Sequence, residues 1–260
     1  MSLHAHDLFN LHGKVALVTG GSRGLGKMIA SVFVANGVRT WITGRDADVC
    51  AETARELSAG GGDCRALPAN LAKMEEIERV VAELSAQETA LHILVNNAGT
   101  TWGGPVESFP ESGWDRVMDL NVKSVFFLTQ KLIPLFDAGA TDDDWARVIN
   151  VSSVGARIVE DGLSAPSYAA SKAAVEQLTR ALARSLGPHR TTVNCISPGW
   201  FPTRMNAPIT DTRGADWLAG TPLHRFGTAA DIGGLAVFLA SRAGSYINGQ
   251  IIVSDGGKTL

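Results

Sequence analysis

Hydrophobic and polar positions along this chain alternate between two patterns. Short runs rich in β-branched and aliphatic residues recur throughout, and a longer stretch with helical periodicity follows most of them. These runs predict strands at KVALVT (14–19), RTWIT (39–43), CRALPA (64–69), LHILVN (91–96), RVINVS (147–152), TVNCIS (192–197) and QIIVS (250–254).

The segment LGKMIASVFVANG, which follows the first predicted strand, illustrates the helical pattern. Its apolar residues follow the spacing i, i+3, i+4, i+7, i+8 at Leu25, Met28, Ile29, Val32 and Phe33. Gly37 is a helix stop of the usual kind. Strands that alternate with such helices form parallel βαβ units whose helices cover both faces of a sheet. We therefore predict an α/β fold with a doubly wound, seven-stranded parallel sheet, built from residues 1–260 as a single domain.

Composition narrows the classes of protein that fit this pattern. The 260 residues are 45% hydrophobic and 19% charged with a net charge of −3, which is typical of a soluble globular chain and does not favour a nucleic-acid partner. No apolar run reaches the length of about 18 residues that a membrane helix needs. Three widely spaced cysteines favour a reduced, cytoplasmic protein. The histidines show no spacing typical of a metal site, so we expect no metal.

A glycine-rich turn follows the first predicted strand. In TGGSRGLG (19–26), Gly20, Gly24 and Gly26 allow a tight turn and a close approach of a pyrophosphate to the backbone. The N-terminus of the next helix favours the phosphate charge. Many turns are rich in glycine, but the position between a strand and a helix favours dinucleotide binding here.

A tyrosine and a lysine stand four residues apart in SYAASKAAV (167–175). On a helix Tyr168 and Lys172 share one face. A phenol with a reference pKa of about 10 is a poor base near neutrality, and a nearby ammonium group lowers that pKa. An arbitrary pair of this kind would be a surface pair, but its position behind a dinucleotide turn favours catalysis.

Further motifs strengthen this interpretation. The pattern T-G-x-x-x-G-x-G, the Tyr-x-x-x-Lys pair, NNAG (96–99), SPGWFPTRM (197–205) and SDGG (254–257) together resemble the short-chain dehydrogenase/reductase family, from about Gly13 to Gly257. The phrases VTGGSRG, LVNNAGT and LNV are most similar to β-ketoacyl reductases of the rhamnolipid-pathway kind. The resemblance implies a Rossmann fold and hydride transfer between a nicotinamide cofactor and a carbonyl group.

The resemblance also assigns roles to residues. It implies that Tyr168 is the general acid/base, that Lys172 supports it, and that Ser153 polarises the substrate carbonyl, with its neighbour Ser152 as the rival. Asn121 would bend its helix and hold a water that links Lys172 to solvent. The implied cofactor contacts are Gly20, Ser22, Arg23, Gly24, Leu25, Gly26, Arg45, Asn70, Leu71, Asn97, Ala98, Gly99, Tyr168, Lys172, Pro198, Gly199, Phe201 and Thr203.

The residues after the second predicted strand bear on the choice of cofactor. Gly44 stands where an NAD enzyme of this fold carries an acidic residue for the ribose diol, and Arg45 follows it. Together with Arg23 it favours a 2′-phosphate, hence NADP(H). Asp46 could instead reach the ribose, which leaves NAD(H) possible. Asn70 replaces the aspartate that the family usually places near adenine.

The segments after the fourth, fifth and sixth strands predict an apolar substrate pocket, with residues about 200–224 as a substrate loop. Their apolar residues include Trp102, Val154, Ile158, Val159, Leu163, Trp200, Phe201, Met205 and Trp217. Arg157 and Arg204 are near enough to meet an acid. The acidic run at 142–144 argues against an acidic carrier protein and for a free ketone or a coenzyme A ester.

We therefore expect NADPH-dependent reduction of a ketone, either a 3-oxoacyl thioester or another small apolar carbonyl compound. The alternatives are an NAD-dependent alcohol or polyol dehydrogenase and a non-catalytic NADP-binding regulator.

The helices that carry Asn121 and Tyr168 have more apolar positions than one stripe against a sheet consumes. The resemblance implies a homotetramer that covers this excess, with a dimer as the fallback. Under the alternative, the residues Val125, Phe126, Phe127, Leu132 and Leu182 are all covered within one subunit.

Overall fold

The computed structural model describes residues 3–159, 164–203 and 214–260. Its seven strands form one parallel sheet in the order β3-β2-β1-β4-β5-β6-β7. The strands are β1 Val15–Val18, β2 Arg39–Ile42, β3 Cys64–Ala66, β4 Ile93–Asn96, β5 Ala146–Val151, β6 Thr191–Pro198 and β7 Ile251–Ser254. The predicted fold class is confirmed.

Helices connect the strands as the periodicity predicts. They are α1 Ala5–Leu8, α2 Gly24–Ala35, α3 Ala47–Ser58, α4 Met74–Gln87, α5 Glu111–Met118, α6 Ser124–Lys131, α7 Ile133–Gly139, α8 Pro166–Leu186, α9 (214–219) and α10 Ala229–Ala240. A π-helical segment, Asp119–Lys123, joins α5 to α6. Gly37 follows α2 with a left-handed φ of +74°, as its predicted role requires.

The third strand is shorter than its hydrophobic pattern predicts. It ends at Ala66 rather than at residue 69. Leu67 and Ala69 still donate backbone hydrogen bonds to Ile42 and Gly44, but Pro68 between them has no N–H to contribute.

Both faces of the sheet are buried, which explains the continuous rather than alternating hydrophobic runs. Ile29 and Phe33 of α2 pack with Ile232 of α10 on one face. Ile77 of α4 and Leu128 of α6 pack on the other. No helix in the described ranges combines the length and the apolar character needed to cross a bilayer.

A buried amide ladder ties the ends of β4 and β5 to the helices behind them. Asn96 Nδ2 donates to Asn150 Oδ1 at 2.9 Å and to Thr129 Oγ1 at 3.1 Å. Asn150 Nδ2 donates to Thr179 Oγ1 of α8 at 2.9 Å. These hydrogen bonds hold the ends of β4 and β5 in place beneath the loops that follow them.

The acidic run at 142–144 lies at the amino-terminal ends of the strands, whereas the loops after β4, β5 and β6 lie at the carboxyl ends. It precedes β5, whose six residues span roughly 20 Å. Asp144 pairs with Lys14 at 2.6 Å and with Arg147 at 3.2 Å, and Asp142 pairs with Arg190 at 3.0 Å. The run therefore lies away from the substrate loops, so the expectation that it disfavours an acidic carrier protein is wrong.

Candidate active site

The glycine turn between β1 and α2 has the backbone that its sequence predicts. Gly20 and Gly24 adopt left-handed φ angles of +64° and +56°. A Cβ on Gly26 would lie 2.3 Å from the Gly20 carbonyl oxygen and 2.4 Å from Asn97 Nδ2. Only glycine allows α2 to start this close to the turn.

The turn is tied directly to the NNAG segment after β4. Thr19 Oγ1 donates to the Val95 carbonyl at 3.2 Å and accepts from the Asn97 and Ala98 amides, each at 2.9 Å. Asn97 Nδ2 donates to the Thr19 and Gly20 carbonyls at 2.9 and 3.3 Å. These bonds join two of the predicted cofactor segments into one unit.

Two arginines, Arg23 in the glycine turn and Arg45 after β2, have no carboxylate partner among the described residues. A Cβ on Gly44 would lie 2.5 Å from the hydroxyl oxygen of Ser22, a buried residue, so no side chain fits there. Arg23 and Arg45 are exposed, and neither forms an ion pair with a carboxylate in the described ranges. Asp46 caps α3 by accepting from the Val49 amide at 3.2 Å. The Asp46 carboxylate, because of which NAD(H) stayed possible on sequence alone, is therefore engaged in a helix cap.

Of the remaining predicted contacts, some can meet a cofactor only through their backbone. The side chain of Leu71 is 3% exposed and belongs to the core. Phe201 is also 3% exposed and packs so tightly that a Cβ on Gly227 would lie 2.3 Å from its ring. Asn70 Oδ1 accepts from the Ala72 amide at 3.4 Å, so its oxygen is already engaged in the local turn.

Other predicted contacts border the glycine turn or the end of β6. A Cβ on Gly24 would lie 3.4 Å from the Thr203 methyl group, which brings the start of the substrate loop over the turn. Pro198 is the last residue of β6, and the Gly199 amide donates to the Ser254 carbonyl at 2.9 Å. Leu25 lies half-buried in the first turn of α2.

Ser153 and Tyr168 lie side by side, and Ser153 acts on the pKa of the Tyr168 hydroxyl. A Cβ on Gly155 would lie 3.4 Å from Ser153 Oγ and 3.6 Å from Tyr168 Cε1, so the absence of a side chain keeps the space beside both open. Ser152 instead donates from its buried hydroxyl to the Lys172 carbonyl at 3.0 Å. Of the two serines, Ser153 is the one that faces Tyr168.

Lys172 is buried beneath Tyr168. Its Nζ donates to the Val151 carbonyl at 2.8 Å and lies 5.7 Å from the centroid of the Tyr168 ring. Burial lowers the pKa of Lys172 to about 8.

The pKa of Tyr168 differs from the sequence-based expectation. Burial raises the pKa of the Tyr168 hydroxyl, although its hydrogen bond with Ser153 acts in the opposite direction. The sequence-based expectation of a lowered pKa is therefore wrong in its net direction. The reason is that desolvation of the phenol outweighs its interaction with Ser153.

Asn121 lies in the π-helical segment and is 1% exposed. Its Oδ1 accepts from the Thr100 amide at 2.8 Å, and its Nδ2 donates to the Thr100 carbonyl at 3.0 Å and to Ser171 Oγ at 2.9 Å. A Cβ on Gly99 would lie 3.4 Å from Asn121 Oδ1 and 3.5 Å from Lys172 Nζ. Asn121 thus ties the loop after β4 to α8 and borders the same space as Lys172.

Aromatic side chains form part of the predicted pocket. Trp200 and Trp217 stack with centroids 3.4 Å apart and planes inclined by 12°. The Arg116 guanidinium lies 5.6 Å from the Trp102 ring centroid. Val159, which is also predicted to line the pocket, is 89% exposed.

The cationic groups predicted near the pocket do not form a clamp among the described residues. Arg157 Nε lies 3.4 Å from Glu176 Oε1, so its charge already has a partner. Arg204, Leu163 and Met205 lie outside the described residues.

Sequence reasoning missed the residues that connect these segments. Thr19 ties the glycine turn to the loop after β4, Thr100 and Ser171 tie that loop to α8 through Asn121, and Glu176 ties the loop after β5 to α8. Ser171 and Glu176 stand three and eight residues after Tyr168, so helical spacing could have placed them near its face of α8.

Comparison with known proteins gives consistent matches along the chain. A family model described as enoyl-(acyl carrier protein) reductase matches residues 20–259. The rhamnolipids biosynthesis 3-oxoacyl-[acyl-carrier-protein] reductase of Pseudomonas aeruginosa is 46% identical over 98% of this chain and 100% of its own length. The 2-dehydro-3-deoxy-D-gluconate 5-dehydrogenase of Bacillus subtilis is 37% identical over 98% of each chain.

Solved structures are similar over nearly the whole chain. The Pseudomonas aeruginosa RhlG/NADP active-site complex superimposes with a TM-score of 0.93 at 46% identity, covering 98% of this chain and 100% of that one. A gluconate 5-dehydrogenase from Burkholderia cenocepacia in complex with NADP and tartrate gives a TM-score of 0.89 at 31% identity, covering 98% and 99%.

Proposed function

This chain belongs to the short-chain dehydrogenase/reductase family of NAD(P)-dependent oxidoreductases, and we propose that it uses NADPH to reduce a 3-oxoacyl thioester to the 3-hydroxyacyl thioester. The observation that carries the proposal is that Ser153 and Tyr168 lie side by side above a buried Lys172. The glycine turn adds two exposed arginines nearby in sequence and structure that form no ion pair among the described residues. The 46% identical relative is named for reduction of this class of compound.

The residues around the glycine turn fit NADP(H). Gly20 and Gly24 give the turn its left-handed backbone, and Gly26 lets α2 start close to it, which is the turn geometry that a pyrophosphate at a helix N-terminus requires. Arg23 and Arg45 are available to a 2′-phosphate, because no described carboxylate neutralises either. Two solved relatives are described as complexes with NADP.

The chemistry divides among the three residues at the loop after β5 and on α8. NADPH, when bound, supplies the hydride to the carbonyl carbon. Ser153 donates a hydrogen bond to the carbonyl oxygen and so favours the negative charge that develops there. Tyr168, which its raised pKa keeps protonated near neutrality, donates its proton to that oxygen. Lys172, charged below about pH 8, stabilises the resulting phenolate.

The surroundings favour an apolar acyl substrate over a sugar acid. Trp200, which is partly exposed and stacks on the buried Trp217, supplies apolar surface. A carboxylate substrate needs a cation that is free to pair, whereas Arg157 is paired with Glu176. The gluconate-type relatives make the sugar-acid reaction the second candidate.

We further propose that the protein is a cytoplasmic homotetramer. NADPH-dependent reduction belongs to a compartment where the cofactor is kept reduced. The three cysteines are buried and unpaired, which fits such a compartment.

The proposal is tested by following nicotinamide absorbance with purified enzyme. We expect NADPH to be oxidised with acetoacetyl-coenzyme A and with longer 3-oxoacyl thioesters, and with 5-keto-D-gluconate at less than a tenth of that kcat/KM. NADH serves as the second cofactor in each assay. A higher kcat/KM with the keto acid would establish the second candidate, and no turnover of any substrate would favour the non-catalytic regulator.

A further inference from the structure

A cavity that takes no part in the proposed reaction lies at the amino-terminal ends of the strands. Its volume is about 560 Å³, and its lining includes His12, Lys14, His92, Asp144 and Arg242. These residues come from the segments that precede β1, β4 and β5 and from the turn after α10. The length of β5 separates the cavity from Ser153.

The cavity and the layer of residues behind it hold more buried positive than negative charge. Lys14 is 8% exposed and its Nζ lies 2.6 Å from Asp144 Oδ2. Arg147, which is 1% exposed, shares the same carboxylate through Nη2 at 3.2 Å. Arg147 Nε has no hydrogen-bond partner among the described atoms. Two buried cations thus share one carboxylate, although Arg147 also donates to the carbonyl oxygens of Trp145, Ala146 and Ser241. A further anion would offset the remaining positive charge.

Two more donors line the cavity. The half-buried Arg242 forms no ion pair with a carboxylate of the described ranges. His92 Nδ1 accepts from the Val15 amide at 3.0 Å, so the proton of the neutral ring resides on Nε2, which can donate. Burial lowers the pKa of His92 and keeps that ring neutral. Asp7 is the other carboxylate of the lining, and it lies 3.3 Å from His6.

We propose that this cavity is a binding site for a phosphate-bearing small molecule, held by Lys14 and Arg242 with the Arg147 charge behind them. An anion offsets the excess of the three cations over the carboxylates of Asp144 and Asp7, and guanidinium and ammonium groups are both good phosphate partners. The volume lies within the range of small-molecule sites, which leaves space for an organic group beside the phosphate. Such a ligand would connect β1, β5 and the end of α10 and stabilise the folded chain.

The experiment measures thermal unfolding of the full chain saturated with NADP⁺, so that the proposed active site is already filled. Inorganic phosphate is titrated against sodium chloride at equal ionic strength. We expect phosphate to raise the unfolding temperature of the wild type beyond the effect of chloride. In Arg242→Gln the phosphate concentration needed for half of this rise should increase at least tenfold. Arg55→Gln, which removes an exposed arginine paired with Glu52, should behave as the wild type.

Glucose 6-phosphate is the second probe, and its comparison with inorganic phosphate distinguishes the sources of the anion. Tighter binding of the sugar phosphate supports an organic phosphate ligand, whereas tighter binding of the inorganic ion supports free phosphate. Equal stabilisation of the wild type and Arg242→Gln, or none beyond chloride, would overturn the site. Reductase activity should be unchanged in both arginine variants, which keeps this test separate from that of the proposed function.

Discussion

The two tyrosines of this chain lie in contrasting surroundings, which makes one a control for the other. Tyr168 lies beside Ser153, whereas Tyr246 is fully exposed. We expect Tyr168→Phe to lower kcat roughly 100-fold or more, because the variant lacks the proton donor, while the Kd for NADPH stays nearly the same. Tyr246→Phe should keep wild-type kinetics. Near-normal turnover by Tyr168→Phe would remove this residue from the mechanism.

The titration of Lys172 should set the upper pH limit of reduction. Burial lowers its pKa to about 8 and raises that of Tyr168, so on raising the pH the lysine loses its proton before the tyrosine does. We expect kcat for NADPH-dependent reduction to fall as the pH rises through about 8, because the positive charge beneath Tyr168 is lost. In Lys172→Arg, whose guanidinium stays charged, the fall should move to higher pH. An unmoved midpoint, measured from pH 6 to 10, would contradict this assignment.

At the scale of elements, the turns after β1 and β2 act together. Ser22 fills the place that a side chain at Gly44 would take. Arg23 and Arg45, which follow these two residues, are exposed and have no carboxylate partner among the described residues. We expect each arginine to favour NADPH over NADH by about 1 to 3 kcal/mol through charge-assisted hydrogen bonds to the 2′-phosphate.

The ratio of kcat/KM for the two cofactors measures this preference. It should fall in Arg45→Ala and in Arg23→Ala and fall further in the double variant. Arg55→Ala on α3 serves as the matched control, because that side chain is exposed and paired with Glu52. A preference for NADPH that survives the double variant would place the phosphate site elsewhere.

At the scale of the whole molecule, the apolar excess predicted for α6 and α8 is smaller than the sequence indicates. Val125, Leu132 and Leu182 are buried within one subunit. Phe126 and Phe127 are half-buried and contact each other edge to face at 5.1 Å. Instead, every residue of the edge strand β7 is partly exposed, and Tyr246 nearby is fully exposed. An open edge of this kind invites a partner.

We expect a homotetramer of 27.4 kDa chains, in keeping with the closed symmetry of most soluble homo-oligomers. Light scattering coupled to size exclusion, at micromolar concentration and with NADPH present or absent, measures the mass. A dimer is the fallback. A stable, active monomer would defeat the prediction.

The sequence alone determined the features that depend on neighbouring residues. Hydrophobic periodicity predicted the seven strands and their order of alternation with helices, because each element must bury its apolar residues against the sheet. The glycine turn and the shared helix face of Tyr168 and Lys172 could also be predicted from the sequence, since backbone conformation and helical geometry depend on a few neighbouring residues.

Only the tertiary structure decided which polar side chains are already paired. Ser153 lies beside Tyr168, whereas the Ser152 hydroxyl is bonded to the Lys172 carbonyl. Asp46 caps a helix, and Arg157 is paired with Glu176. Burial also raised the pKa of Tyr168, where the sequence had predicted a decrease. Hydrogen bonds, ion pairs and desolvation depend on distances between segments far apart along the chain, and no local pattern of residue types encodes those distances.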